Sequence, residues 1–358
     1  MRKNFRKLVS TVLAVSLVGA MTLVTGCGKK EAADAPEADA ADATEETESE
    51  AAEAANDNGE LREVTVILDY LPNTNHTGMY IADENGYYAE EGLKVNIIEP
   101  TDGTAATLIA QNKGDFGITY QEDITFGHLS EDPIPVKAIA QIIPHNPSGI
   151  AVLADSGIES PKDFEGKTFA GWGGAGEQEM LHAFMDAYDG DFSKLNMIIS
   201  DGAGFESLGK GVDMLWLYEA WDCVAAELAG VDLNLLMCKD MDDRLDYYTT
   251  MIVAHDDTIN NDPEMVAAFL RATEKGYMDA IADPDAAAEL MAKYCPDTDI
   301  EMLKKSQNIL AERFMEGIDT WGKMEDETWS NYMDFLEEYG VVTEPVDVKE
   351  MYTNQFFE

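Results

Sequence analysis

From residue 62 onward, short apolar runs alternate with stretches whose apolar residues recur at helical spacing. Residues 63–68, 94–98 and 115–120 carry the period-two pattern of strands, and 77–91 and 104–113 lie between them as helices. A second series follows, with apolar runs at 136–143, 149–153, 168–170, 196–199, 214–217 and 233–237 and a helical stretch at 177–188. After Pro263 the chain reads as helix: Met265, Val266, Phe269, Leu270 and Tyr277 form one stripe, and Leu290, Leu303, Ile309, Leu310, Phe335 and Leu336 mark later helices. This alternation predicts an α/β protein of two lobes with a helical C-terminal tail. In such sheets a ligand sits beyond the carboxyl ends of the strands, so the loops that follow strands are where chemistry is expected.

The N-terminal segment has a different logic. Arg2, Lys3, Arg6 and Lys7 precede an apolar run over 8–24, the charged and hydrophobic regions of a secretory leader. The run ends in Val24-Thr25-Gly26-Cys27, which resembles the lipobox at which bacterial lipoproteins are cleaved and acylated. Residues 1–26 are therefore expected to be a signal peptide and Cys27 the site of lipid attachment. Residues 27–60 form an acidic tether of Ala, Asp, Glu, Thr and Ser with too little apolar content to fold. The expected mature protein is extracytoplasmic and joined to the membrane through its lipid alone.

Charge narrows the partners. The 358 residues include 24 basic and 70 acidic side chains, a net charge of −46, which excludes nucleic acid and the face of an anionic bilayer as partners of the main surface. The remaining cysteines, Cys223, Cys238 and Cys295, are far apart in sequence and sit among apolar neighbours, so buried thiols are favoured over a pairing.

The most distinctive stretch follows the first strand: Asp69-Tyr70-Leu71-Pro72-Asn73-Thr74-Asn75-His76-Thr77-Gly78-Met79-Tyr80. Asn73, Asn75, His76 and Thr77 offer amide, imidazole and hydroxyl groups able to match a heteroaromatic ring that both donates and accepts, and Tyr70 offers a stacking face. Pro-Asn-Thr-Asn is equally turn chemistry with Asn75 or Thr77 as an N-cap. After the strand at 214–217, Tyr218, Trp221 and Asp222 place aromatic planes and a carboxylate one helical turn apart.

With Gly86-Tyr87-Tyr88-Ala89-Glu90-Glu91-Gly92-Leu93, with residues 114–122, which end in Gln121-Glu122, with Ser160-Pro161-Lys162-Asp163-Phe164-Glu165-Gly166-Lys167 and with Tyr218-Glu219-Ala220-Trp221-Asp222, the chain resembles the thiamine-pyrimidine-precursor binding proteins of bacterial ABC importers, a family that includes the fungal thiamine-pyrimidine synthases. The likeness runs over nearly all of 63–357. It implies a two-lobed type II periplasmic-binding-protein fold, with lobe one from 61–145 and 255–358, lobe two from 146–254, and hinges near 144–149 and 254–261. It implies capture of hydroxymethyl- or formylaminomethyl-aminopyrimidine by lobe closure and delivery to an ABC permease by a monomer that needs no cofactor. Tyr218 and Asp222 take the roles of the tyrosine and acid that contact the aminopyrimidine, although the family often has Glu at the second position. Gln121 and Glu122 join the expected contacts.

Gly171-Trp172-Gly173-Gly174-Ala175-Gly176 fits a dinucleotide fingerprint, yet the helix it opens begins with Glu177 and Glu179, which occupy the positive end a pyrophosphate needs. Trp172 and Gly173 are instead expected at the cleft as a stacking wall and a close backbone approach. Across the candidate loops there is no Lys or Arg, whereas Asp69, Glu122, Asp123, Glu177, Glu179, Asp201, Glu206, Glu219 and Asp222 are present. That bias disfavours anionic ligands and suits a neutral or protonatable amino-heterocycle. Riboflavin or a sulfonate is the alternative within the binding class. The other classes are a synthase-like enzyme, for which the Cys-rich motif and a loop lysine are missing, and a surface lipoprotein whose cleft binds nothing.

Overall fold

The computed structural model describes residues 60–174, 176–344 and 346–357. The expected leader, Cys27 and the tether up to residue 59 lie outside the described residues. Ten strands follow in chain order: β1 (Arg62–Ile67), β2 (Leu93–Ile98), β3 (Phe116–Tyr120), β4 (Val136–Gln141), β5 (Ser148–Leu153), β6 (Thr168–Gly171), β7 (Asn196–Ile199), β8 (Met214–Tyr218), β9 (Leu233–Met237) and β10 (Thr249–His255). They build two five-stranded sheets with the orders β2-β1-β3-β10-β4 and β7-β6-β8-β5-β9. In the first, β1 runs parallel to β2 and β3 while β10 is antiparallel to β3 and β4; in the second, β6 runs parallel to β7 and β8 while β5 is antiparallel to β8 and β9. Each sheet therefore takes its one reversed strand from the chain that has just arrived from the other sheet.

Most of the predicted elements form near their expected positions, with two differences. The helix expected over 77–91 is interrupted: it runs Thr77–Glu84, then Gly86 takes a left-handed φ of 76° and a new turn begins at Tyr87. The larger difference is β10, a strand absent from the sequence reading. Its residues are all buried, and Met251-Ile252-Val253-Ala254 at its centre run apolar without alternation, as expected for a strand covered on both faces. Because β10 pairs in the first sheet, the second crossing between sheets lies at 238–248, ahead of the 254–261 expected for that hinge; 256–261 is a helix beyond the strand. The first crossing, 142–147, overlaps the expected 144–149.

The C-terminal helices do more than trail the lobes. Helix Pro263–Ala282 lies against helix Thr77–Glu84 at a glycine contact: a Cβ at Gly276 would sit 1.9 Å from the Gly78 carbonyl oxygen. From that helix Tyr277 donates its hydroxyl to the Asn75 carbonyl at 2.7 Å, pinning the loop after β1. Helix Asp326–Glu338 contributes Trp329, Tyr332, Phe335 and Leu336 to one buried cluster that also holds Ile109, Val136 and Val253 beside the first sheet and Phe164, Phe169 and Phe184 beside the second. The last helix thus shares a core with both halves.

Candidate ligand-binding site

The loop after β1 is held in shape by its own polar groups. Asn73 caps the single turn Thr74–His76: its Oδ1 accepts the Asn75 N–H at 2.9 Å and its Nδ2 donates to the Leu71 carbonyl at 3.0 Å. His76 Nδ1 accepts the Asn73 N–H at 3.2 Å, so the imidazole carries its proton on Nε2 and donates it to Asp69 Oδ1 at 2.7 Å. Tyr120, at the end of β3, donates its hydroxyl to the other Asp69 oxygen at 2.5 Å. Burial alone would push the Asp69 carboxyl up; the hydrogen bonds it accepts from His76 and Tyr120 outweigh that and hold the group below the ordinary carboxylate value. The loop is tied to helix Ile300–Arg313 by the Thr74 and Ser306 hydroxyls, 2.6 Å apart, and by Thr77 donating to Gln307 Oε1 at 2.6 Å.

The facing wall comes from the second sheet. After β8 the chain enters a π-helical turn, Glu219–Cys223, in which Asp222 Oδ2 accepts the Tyr218 N–H at 2.9 Å. Such turns redirect side chains where function requires it. Glu219 forms a two-pronged pair with Arg313, both contacts at 2.9 Å, which spends the guanidinium on a carboxylate. Among the described residues Asp222 has backbone partners only, and burial pushes its carboxyl above the ordinary value against their pull.

Between these walls lies a cavity of ≈ 540 Å³. Of the residues expected to bind a ligand, Asp69, Tyr70, Asn73, Asn75, Tyr218, Trp221 and Asp222 line it. The other six lie away from its lining. His76 is fully buried behind Asp69, and Thr77 is buried against Gln307. Gln121 turns its amide oxygen to the Tyr248 N–H at 3.1 Å, and Glu122 accepts the Tyr247 hydroxyl at 2.8 Å; both brace the second crossing. Trp172 is 53% exposed and meets the edge of Trp216. The Trp172 and Gly173 amides are taken by the Glu177 carboxylate at 3.0 and 2.8 Å, so the glycine-rich loop closes on its own helix.

Tyr120, Pro147, Thr249, Thr298, Ser306 and Leu310 also line the cavity and were not foreseen. Tyr120 had a signal, since it ends a strand at the carboxyl edge where ligands gather. Pro147 lies within the expected first hinge; the others had no signal, because Thr249 arrives from the crossing strand, Thr298 from the loop before helix Ile300–Arg313, and Ser306 and Leu310 from that helix. Among the described residues that line the cavity, none is Lys or Arg.

A family model described as NMT1/THI5 like matches residues 73–287, more than half of the chain. The chain belongs to this family. Its relatives include the formylaminopyrimidine-binding protein of Halalkalibacterium halodurans, 26% identical over 84% of this chain and 92% of that protein. They also include the riboflavin-binding protein RibY of Chloroflexus aurantiacus, 26% identical over 84% of this chain and 88% of that one. The 4-amino-5-hydroxymethyl-2-methylpyrimidine phosphate synthase of Legionella pneumophila is 23% identical over 82% of this chain and 92% of its own. In three dimensions the chain is similar to the periplasmic aliphatic sulphonate binding protein SsuA of Escherichia coli, with a TM-score of 0.65, 15% identity, and coverage of 83% of this chain and 99% of that one. The fold of this NMT1/THI5-like protein is the type II periplasmic-binding-protein fold, as its sequence led one to expect.

Proposed function

We propose that this protein is the extracytoplasmic solute-binding component of an ABC importer and that it captures an unphosphorylated thiamine pyrimidine precursor, hydroxymethyl- or formylaminomethyl-aminopyrimidine. The observation that carries this reading is the lining of the cavity: Tyr70, Tyr120, Tyr218 and Trp221 supply flat apolar faces, Asp222 is a carboxylate without a cationic partner among the described residues, and Lys and Arg are absent from the described lining. A flat ring bearing an exocyclic amine can stack on the aromatics and donate to Asp222, whereas a phosphate or sulfonate would meet only acids and neutral dipoles. The formylaminopyrimidine-binding relative supports the ligand class. The synthase relatives point to an enzyme instead, but the loop histidine here is buried and engaged on both ring nitrogens, away from the lining.

In this reading the loop after β1 and the turn after β8 close on the ligand as the crossings at 142–147 and 238–248 flex, and the closed form is the one a permease recognises. Acylation of Cys27 would hold the monomer at the membrane. Titration of heat or tryptophan fluorescence with hydroxymethylpyrimidine, formylaminopyrimidine, riboflavin and taurine tests the assignment. Asp222→Asn keeps an oxygen for the Tyr218 N–H but loses the charge, so pyrimidine affinity should fall by about 10- to 100-fold, the worth of a charge-assisted hydrogen bond, with the melting temperature nearly unchanged. Tight taurine binding with no pyrimidine response would overturn the proposal. Riboflavin binding would move the chain beside its RibY relative.

A further inference from the structure

The hydroxyl groups around the cavity are not equivalent. Tyr120 spends its hydroxyl on Asp69, and Thr74 and Ser306 spend theirs on each other. Thr249 lies directly across from Tyr120 in the antiparallel register of β3 and β10, lines the same cavity and is only 3% exposed. Its Oγ1 is buried and has no hydrogen-bond partner among the described residues. Gln141, Thr250, Gln307, Trp321 and Trp329 carry the other such atoms among the described residues, and none of these lines the cavity. A buried hydroxyl without a partner is costly, and native structures retain few of them unless the group has another use.

We infer that Thr249 is a specificity-determining ligand contact: its Oγ1 hydrogen-bonds a polar atom on the edge or side arm of the bound heterocycle, across the cavity floor beside Tyr120. This rests on the ligand class proposed above and adds a residue to it. Thr249 is also the first residue of β10, where the chain re-enters the first sheet after the second crossing. A ligand held there touches the end of the crossing as well as the two walls, so the contact also reports the position of the lobes.

The test is a pair of near-isosteric variants titrated with hydroxymethylpyrimidine, formylaminopyrimidine and riboflavin. Thr249→Val removes the hydroxyl and keeps the β-branched shape that suits a strand. It should weaken the best ligand by roughly fivefold or more, because the ligand's polar atom is left unpaired. Thr249→Ser should stay within about twofold of wild type, and the ligand-free melting temperature of Thr249→Val should equal or exceed that of wild type, since an unmatched hydroxyl has been removed. If Val lowers the melting temperature, Thr249→Ala is read in its place. Affinity of the hydroxyl-less variant within twofold of wild type, or Ser as weak as Val, would overturn the inference while leaving the pyrimidine assignment standing. Wild-type binding of riboflavin alone would overturn the pyrimidine assignment, and the Thr249 comparison is then decided on riboflavin. Wild-type binding of none of the three would overturn both.

Discussion

Glu122 allows a prediction whose size follows from its surroundings. It lies in the first turn of the helix Gln121–His128 and accepts the Tyr247 hydroxyl at 2.8 Å from the crossing that leads into β10. Burial pushes its carboxyl up from 4.5 to about 7; the Tyr247 hydrogen bond opposes the rise and the neighbouring Asp123 adds to it. The native state therefore holds a proton that the unfolded chain has already released. A raised group stabilises fully below its unfolded value near 4.5, and that contribution disappears as pH climbs through about 7. Moving a proton-binding midpoint that far corresponds to about 3 kcal/mol, and partial exposure of the side chain to water reduces it to about 2 kcal/mol.

Glu122→Gln mimics the protonated form at every pH and can keep the Tyr247 bond. Urea unfolding of the two proteins between pH 5 and 8 isolates this one group, because the other carboxylates contribute to both curves. Wild type should lose about 2 kcal/mol relative to Glu122→Gln across that range, with most of the change between pH 5.5 and 7.5. Parallel curves would refute the reasoning. So would a variant that is the less stable of the two at pH 8. Since Glu122 lies away from the cavity, its pyrimidine affinity at pH 6 should match wild type; a large loss there would return Glu122 to the binding surface.

Two further outcomes follow from the packing and hydrogen bonding. Gly276→Ala places a methyl group 1.9 Å from the Gly78 backbone carbonyl, which cannot rotate away; the variant should lose about 2–3 kcal/mol, read as a lower urea midpoint, and weaken ligand binding because the same helix anchors Asn75 through Tyr277. Tyr120→Phe removes one of the donors that hold Asp69 below its ordinary value of 3.8, a depression whose stabilisation is present above that pH and lost as pH falls. The variant should be less stable near neutrality by about 1–3 kcal/mol, with a flatter loss of stability between pH 5 and 3.

Local chemistry wrote much of this protein directly into its sequence. Strand and helix periodicity announced an α/β chain, the asparagine-rich loop after β1 and the Tyr218–Asp222 segment turn out to be two walls of the cavity, and the scarcity of basic residues in those loops anticipated the charge of its described lining. These features depend on neighbours a few residues apart, which a linear reading sees. What it could not see is long-range. An apolar run such as 251–254 is equally consistent with either sheet, because a strand buried on both faces carries no mark of its partners; pairing with β3 and β4 is what moved the second crossing and brought Thr249 to the cavity. Ser306 and Leu310 reach the site only because helix Ile300–Arg313 packs on the loop. The division of labour among the polar groups is also a matter of distance: His76 and Asp69 are seven residues apart, yet only folding aims the imidazole at the carboxylate and leaves Asp222, across the cleft, as the acid with no cation beside it.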